Sequence, residues 1–210
     1  MNSKNIFKNK WSMIAIALIC CLLWGSAFPS IKMLYSITQV QSVSQKMMLA
    51  GMRFFISGIL VLMFLKLIQK KSLKVEKHNI KKVLVIALLQ TSLAYTFYYI
   101  GLSNTTGVRA SIIVSIGIFN VALMSVFAFA DFRLTSNKIL GMLLGLAGVV
   151  LINLSVFKDS SPFSWAGEGF IIVNTFFTAL ATVIIKKYAG TMDVVLLNGY
   201  QLAIGGFILI

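Results

Sequence analysis

The chain has 210 residues, of which 59% are hydrophobic and only 11% are charged. A soluble domain carries about 25% charged residues, so this composition excludes an ordinary water-soluble globular protein and favours an integral membrane protein. The 19 lysines and arginines, set against five acidic residues, do not indicate a nucleic-acid-binding protein, because such an apolar chain offers no basic face to a duplex.

Seven continuous apolar runs follow one another along the chain. Each is close to the ~20 residues that a helix needs to cross a hydrocarbon core about 30 Å thick. The runs lack the alternation of apolar and polar residues that membrane barrels show, so they predict helices joined by short loops. Their approximate bounds are 12–35, 47–68, 83–102, 108–130, 139–157, 166–185 and 194–210.

Basic residues predict the orientation of these runs. If the N-terminus is inside, most of the lysines and arginines fall in inside loops, as the positive-inside rule requires. Lysines also precede the first run, as in a signal peptide. That run is nevertheless long enough to span a membrane and no small-residue cleavage site follows promptly, so we expect a retained helix. The sequence therefore predicts a multi-pass protein of the cytoplasmic membrane with a cytoplasmic N-terminus.

Part of the chain resembles another part of it. The segment 49–58 aligns with 197–206, and 24–32 aligns more weakly with 178–186. If runs six and seven repeat runs one and two, the unit has five helices and the second copy is inverted, an arrangement typical of secondary transporters. We then expect a first repeat at 1–157 and the first two helices of an incomplete second repeat at 158–210. Chance similarity between apolar helices stays open as the alternative.

Several motifs, taken in order, resemble those of the EamA-like family of the drug/metabolite transporter superfamily. They are Trp24-Gly25-Ser26 followed by Lys32, Arg53 in the second run, and Gly141 and Gly148-Val149 after a short basic loop. The chain departs from the family pattern at Ile118, where a proline is usual, and at Asp131-Phe132, where a glutamate is usual.

The resemblance implies ten helices in two inverted five-helix repeats and the transport of small metabolites, often as export. Family members commonly have about 300 residues, and the seventh run reaches residue 210 without a polar cap. We therefore expect an all-α integral membrane protein that is a C-terminally truncated member, with seven of ten transmembrane helices present.

Six residues are candidates for a substrate pathway. Arg53 lies roughly 9 Å along its run, where an ionisable group usually faces a cavity, unless its long stem snorkels to the headgroups. The other candidates have packing or interhelical hydrogen bonding as the alternative to lining a cavity. The full set is Trp24, Arg53, Tyr95, Tyr98, Asn174 and Thr178. By contrast, Gly141, Gly145 and Gly148 recur at helical spacing and predict close helix packing.

The expected function is secondary transport of a small metabolite or drug-like solute by alternating access, with export as the direction. One histidine and scattered acids do not indicate an enzyme, and the adjacent Cys20 and Cys21 do not indicate a disulfide or a metal site. We expect no cofactor and no nucleic-acid partner; the partners are the lipid bilayer, a solute that the sequence leaves unidentified, and, left open, a second copy in a homodimer. An inactive fragment, a membrane enzyme and a seven-helix receptor remain as alternatives.

Overall fold

A computed structural model describes residues 10–152, 162–188, 190 and 192–210. The described residues form helices joined by short loops, and no strand occurs among them. This agrees with the all-helical class that the sequence predicts. The chain divides into two compact units, Met1–Ser42 and Val43–Ile210.

The first unit contains one long helix, α1 (Lys10–Thr38). The helix ends where Gln39 takes the left-handed conformation (φ 51°) and the Val40 N–H donates to the Tyr35 carbonyl oxygen at 3.3 Å. Cys20 and Cys21 are exposed and unpaired. The backbone of Trp24 lies in α1, but its side chain is outside the described part of the chain, so its role in a substrate pathway stays a prediction.

The second unit contains six helical segments among the described residues. They are α2 (Val43–Leu67), α3 (Lys77–Ser103), α4 (Gly107–Ala128), α5 (Ser136–Ile152), α6 (Trp165–Tyr188) and α7 (Val194–Leu209). Two of them include wider π-helical turns, at Ala87–Leu93 in α3 and at Trp165–Gly169 at the start of α6.

The described part of each apolar run predicted from the sequence lies on one of the helices α1 to α7, to within two residues, whereas residues 153–157 of the fifth run lie outside the described residues. Among the described residues, α2, α3, α4 and α6 are long and apolar enough to cross a membrane, whereas α5 and α7 are shorter apolar helices. The number of membrane spans and the arrangement as inverted repeats stay predictions.

Side chains at the helix starts explain where three of the helices begin. The Thr106 hydroxyl accepts from the Arg109 N–H at 3.3 Å at the start of α4. The Ser164 hydroxyl accepts from the Gly167 N–H at 3.1 Å before α6. Asp193 Oδ1 accepts from the first N–H groups of α7. Each cap provides an acceptor for an N–H that has no partner within its helix.

Four glycines bring the backbones of α2 and α7 into direct contact; we call Gly51, Gly58, Gly199 and Gly206 the glycine interface. A Cβ on Gly51 would lie 2.8 Å from the Gly206 carbonyl oxygen, and a Cβ on Gly58 would lie 2.7 Å from the Gly199 carbonyl oxygen. The two helices are therefore antiparallel. Small residues permit this approach, which brings the backbones of neighbouring helices into van der Waals contact.

The π turn of α3 contacts α7 beside the glycine interface. A Cβ on Gly205 would lie 2.9 Å from the Ala87 carbonyl oxygen, and the Ser92 hydroxyl donates to the Gly205 carbonyl oxygen at 3.3 Å. Thus α7 contacts α2 on one side and α3 on the other. The buried side chains Val83, Ile86 and Leu197 form a small apolar core between α3 and α7.

The close approach predicted at Gly141, Gly145 and Gly148 is not found among the described residues. A Cβ at any of the three would meet no atom within 4 Å, so α5 presents an open glycine face there. Their role in helix packing stays a prediction, and the packing glycines that the structure does identify lie on α2 and α7. The spacing of glycines alone did not distinguish the two sets.

Lysines gather at one end of the second unit, which we call the lysine-rich end. Lys71, beyond α2, donates to Asp193 Oδ2 at 2.6 Å, and the Lys82 ammonium lies 4.5 Å from the ring centroid of Tyr188. These contacts bring together the end of α2, the start of α3, the end of α6 and the start of α7. Lys71 and Lys82, two of the lysines that the sequence assigns to the inside, thus lie at the same end of this unit.

The glycine interface predicts a large effect of one methyl group. Gly58→Ala places its Cβ against the backbone nitrogen of Ala203, so we expect the free energy of unfolding to fall by about 1–3 kcal/mol although alanine favours a helix by about 1 kcal/mol. The measurement is unfolding in detergent micelles followed by circular dichroism. Gly141→Ala is the matched control and should unfold no earlier than the natural chain; equal stability of the two variants would contradict the prediction.

The Lys71–Asp193 pair predicts a dependence of stability on pH. The Lys71 ammonium donates to Asp193 and, with the Val195 and Leu196 N–H groups, holds the pKa of that carboxyl below its usual range. The ionised Asp193 carboxylate therefore stabilises the folded state fully above the unfolded pKa of about 3.9. This stabilisation is lost as pH falls through the lower pKa of the folded state. The Asp193→Asn variant keeps the cap but lacks the charge. Its unfolding temperature should therefore lie below that of the natural chain by a constant amount from pH 7 to 5, and this difference should shrink below about pH 4. A deficit that does not change with pH would refute this origin of the stabilisation.

Candidate functional site

Arg53 lies well inside α2. The helix begins at Val43, earlier than the apolar run predicts, so Arg53 is about 15 Å along the axis from the helix start. Its guanidinium carbon stands 4.9 Å from the centroid of the Phe54 ring. Within the described part of the chain, Arg53 forms no ion pair with a carboxylate. The side chain is partly buried, which places a positive charge beside an aromatic surface without an acidic partner.

Phe54 belongs to a group of four contacting rings; we call Phe54, Tyr95, Tyr98 and Tyr99 the aromatic cluster. The Phe54 and Tyr95 centroids are 4.4 Å apart, and the Tyr98 and Tyr99 centroids are 5.5 Å apart. Tyr98 and Tyr99 follow Tyr95 by three and four residues on α3, so one side of that helix carries all three tyrosines. The structure therefore brings together Arg53, Tyr95 and Tyr98, three of the predicted pathway residues.

Asn174 holds α6 against α3 next to the aromatic cluster. Its Nδ2 donates to the Ala94 carbonyl oxygen at 2.7 Å, one residue before Tyr95. Phe97 of α3 also contacts Phe170 and Phe177 of α6, with centroids 5.4 and 5.6 Å away. The amide of Asn174 thus makes an interhelical hydrogen bond, the second of the two interpretations that the sequence permits.

Thr178 lies one helical turn beyond Asn174, toward the lysine-rich end. Its carbonyl oxygen accepts from the Thr182 hydroxyl at 2.7 Å, and its own side chain is partly buried. The structure does not bring Thr178 into the aromatic cluster. A place for it in the substrate pathway stays a prediction.

A buried ion pair joins α4 to the start of α6 at the end opposite the lysines; we call it the junction. Glu168 Oε1 accepts from Arg109 Nη1 at 3.2 Å and from the Thr105 hydroxyl at 2.6 Å. Glu168 Oε2 accepts from the Ser164 N–H at 2.8 Å. Only 5% of the Glu168 surface is exposed. A carboxylate buried this deeply is stable because charged and polar donors surround it.

Backbone contact reinforces the junction. A Cβ on Gly167 would lie 2.6 Å from the Asn104 carbonyl oxygen, and a Cβ on Gly101 would lie 2.9 Å from the Gly167 carbonyl oxygen. The π turn of α6 therefore rests directly on the loop between α3 and α4. A side chain at either position would separate the π turn from this loop and from the end of α3.

Sequence reasoning did not identify the junction. It gave no role to Arg109 or Glu168. A usable signal was present, because Arg109 and Glu168 open the fourth and sixth runs, which the predicted orientation places on the same side. Opposite charges at the same ends of neighbouring helices would have predicted their pairing.

Comparison with known proteins identifies the family. The model of the EamA-like transporter family matches residues 11–154. The chain belongs to the EamA-like transporter family. This confirms the resemblance drawn from the tryptophan, arginine and glycine motifs, and with the apolar helices it makes the chain a membrane protein. Family membership points to a transporter rather than an enzyme.

Relatives of this EamA-like chain occur in bacteria, archaea and plants. The uncharacterized transporter YvbV of Bacillus subtilis (strain 168) is 30% identical over 210 residues, which cover 99% of this chain and 64% of that protein. The WAT1-related protein At3g02690, chloroplastic, of Arabidopsis thaliana is 25% identical over 186 residues, which cover 87% of this chain and 43% of that protein. An uncharacterized transporter of Methanothermobacter thermautotrophicus is 26% identical over 141 residues, which cover 65% of this chain and 40% of that protein.

The chain spans less than two thirds of the length of each of these relatives. No solved structure matches the chain. The family and the transporter names of the relatives therefore bear on a longer protein, and the solute and mechanism of this EamA-like chain have to be argued from its own residues.

The junction predicts a strong dependence on its carboxylate. Glu168→Ala removes the buried acceptor of the Thr105 hydroxyl, the Ser164 N–H and the Arg109 guanidinium, so we expect the free energy of unfolding to fall by about 3–5 kcal/mol. Glu168→Gln should cost less, because its amide oxygen still accepts from Thr105. Unfolding in detergent micelles followed by circular dichroism measures both. The control is Glu76→Ala, an exposed glutamate beside His78, which should change stability little; a Glu168→Ala chain as stable as Glu76→Ala would contradict the prediction.

Proposed function

We propose that the chain belongs to a secondary transporter that exports a small anionic or zwitterionic solute across the cytoplasmic membrane by alternating access. The observation that carries this proposal is Arg53, a cation held inside α2 against the aromatic cluster, with no carboxylate partner among the described residues. A carboxylate or phosphate group of the solute would complete the pairing.

The chemistry of Arg53 favours such a solute. A charge inside a membrane-spanning segment is costly and is usually paired or faces a water-filled path. The guanidinium offers a planar fork of donors that matches a carboxylate or a phosphate. The rings of the aromatic cluster provide apolar walls with a few hydroxyl groups, which is the usual composition of a small-molecule site.

The glycine interface supports the arrangement as inverted repeats. The sequence alignment pairs Gly51 with Gly199 and Gly58 with Gly206. If each glycine is replaced by its aligned partner on the other helix, the contact of Gly51 with Gly206 becomes the contact of Gly199 with Gly58. Both contacts are present. A local twofold relation between α2 and α7 is the geometry that inverted repeats would produce.

The junction supports alternating access with one end closed. On the proposed division it links α4 of the first repeat to α6 of the second, at the end opposite the lysines. Access to the aromatic cluster from that end would require Glu168 to separate from Thr105 and Arg109. The lysine-rich end is held in part by an exposed pair, Lys71 with Asp193, which separates more easily in water.

The lysine-rich end supports an orientation with that end in the cytoplasm, because retained basic loops are the main determinant of membrane topology. On this assignment the described state is closed toward the outside and the solute would enter from the cytoplasm. Export is then the direction consistent with both the family resemblance and the position of the junction.

Substitution of Arg53 tests the proposal. We expect Arg53→Ala and Arg53→Lys to abolish transport while membrane insertion stays normal, because lysine lacks the planar fork of donors. The measurement is uptake into inverted membrane vesicles of a panel of ¹⁴C-labelled carboxylates, phosphate esters and amino acids, with labelled organic cations as the comparison set.

Arg133→Ala is the matched control, since Arg133 is an exposed arginine in the loop before α5, and it should transport like the natural chain. Unchanged transport in both Arg53 variants would refute the role of Arg53. If the natural chain accumulated only the organic cations, the solute class would be wrong. If uptake of every labelled compound were no higher than in vesicles without the protein, an inactive fragment would replace the proposal.

A further inference from the structure

A groove of about 480 Å³ lies between α4, α5 and α6, outside the aromatic cluster and the junction. Ile118, Ala122 and Ser125 of α4 line one wall at helical spacing, which extends over about 10 Å of helix. Gly141 of α5 lies opposite, where a Cβ would meet no atom within 4 Å. The groove is therefore long, narrow and mainly apolar.

Two lysines stand at one end of this groove. The Lys138 ammonium is 4.4 Å and the Lys186 ammonium 5.0 Å from the centroid of the Phe132 ring, and Lys186 is also 4.4 Å from the Phe129 centroid. In the described ranges neither ammonium group forms an ion pair with a carboxylate, including that of the neighbouring Asp131. Aromatic rings thus hold the two cations near one another, and the Lys138 ammonium also donates to the Arg133 carbonyl oxygen at 2.9 Å.

This combination specifies the chemistry of an occupant. Apolar walls favour an acyl chain, and two ammonium groups at one end, neither with a carboxylate partner in the described ranges, favour a phosphate. Lys186 belongs to the lysine-rich end, so the cations stand where a helix would leave the membrane and the apolar walls extend inward from them. The groove therefore has its charges at the membrane surface and its apolar walls deeper, as a phospholipid has its headgroup at the surface and its acyl chain in the core.

We propose that the groove between α4, α5 and α6 binds one phospholipid with an anionic headgroup, its phosphate at Lys138 and Lys186 and one acyl chain along Gly141 and Ile118. The phosphate completes the charge of the two lysines, and the chain fills the space that the absent side chain of Gly141 leaves. The lipid would join α5 to α6, between which the groove lies. This site is independent of the solute and of Arg53.

Native mass spectrometry of the purified full chain in detergent tests the proposal. Phosphatidylglycerol and phosphatidylcholine with identical acyl chains are titrated. The natural chain is expected to retain one phosphatidylglycerol with roughly thirtyfold preference, given about 1 kcal/mol for each of the two lysines. Glycerol 3-phosphate, which has the phosphate but no acyl chain, should not compete at the same concentration.

Two pairs of variants separate the headgroup from the chain. The double variant Lys138→Gln with Lys186→Gln should lose the preference for phosphatidylglycerol, whereas Lys187→Gln, next to Lys186 but outside the groove, should keep it. Gly141→Leu should weaken retention of both lipids, and Gly145→Leu, an equally open position that does not line the groove, should not. Unfolding temperatures without lipid establish that all four variants are folded.

Several outcomes would overturn the proposal. Equal retention of both lipids by the natural chain would exclude recognition of the headgroup. If the double lysine variant kept the preference for phosphatidylglycerol, the headgroup would be recognised at another site. Competition by glycerol 3-phosphate would indicate an anion site without a lipid chain. A dimer that Gly141→Leu converts to monomer, with no change in bound lipid, would mean that a second copy covers the groove.

Discussion

The direct backbone contact between α2 and α7 is the constraint on which the second unit depends. Lipid chains are as apolar as leucine, so burial alone does not bring two membrane helices together and close packing has to do so. The glycine interface removes the side chains that would separate α2 from α7. Because α7 also rests on the π turn of α3, the same contact determines where α3 lies relative to α2. It therefore also determines how Phe54 of α2, the ring beside Arg53, meets Tyr95 of α3.

Wider helical turns occur at both places where α3 and α6 make their tightest contacts. In α3 the π turn Ala87–Leu93 faces Gly205, and in α6 the π turn Trp165–Gly169 carries Glu168. Such turns often accompany functional sites because they re-aim side chains within a helix. Here one re-aims the backbone of α3 toward α7 just before the tyrosines, and the other turns a carboxylate into the protein at the start of α6.

The positions of the helices were predictable from the sequence because a continuous apolar run of about 20 residues has few alternatives in a membrane. The clustering of Arg53 with Tyr95 and Tyr98 was also predictable in part, since helical spacing placed the tyrosines on one side of α3. The packing glycines were not, because Gly141 and Gly148 are seven residues apart, as are the contact pairs Gly51/Gly58 and Gly199/Gly206, and only the neighbouring helix distinguishes them. The junction likewise depends on which ends of α4 and α6 meet.

The aligned positions of α2 and α7 differ in a way that bears on the solute. Arg53 aligns with Gln201, which is 5% exposed and whose Oε1 has no hydrogen-bond partner among the described residues, while its Nε2 donates to Asn198. An unpartnered carbonyl oxygen accepts from an N–H or O–H and repels an anion. If both helices face the solute, the α2 side suits a carboxylate and the α7 side suits a donor. A zwitterion with an ammonium group satisfies both, whereas a simple dianion would leave the oxygen of Gln201 without a partner.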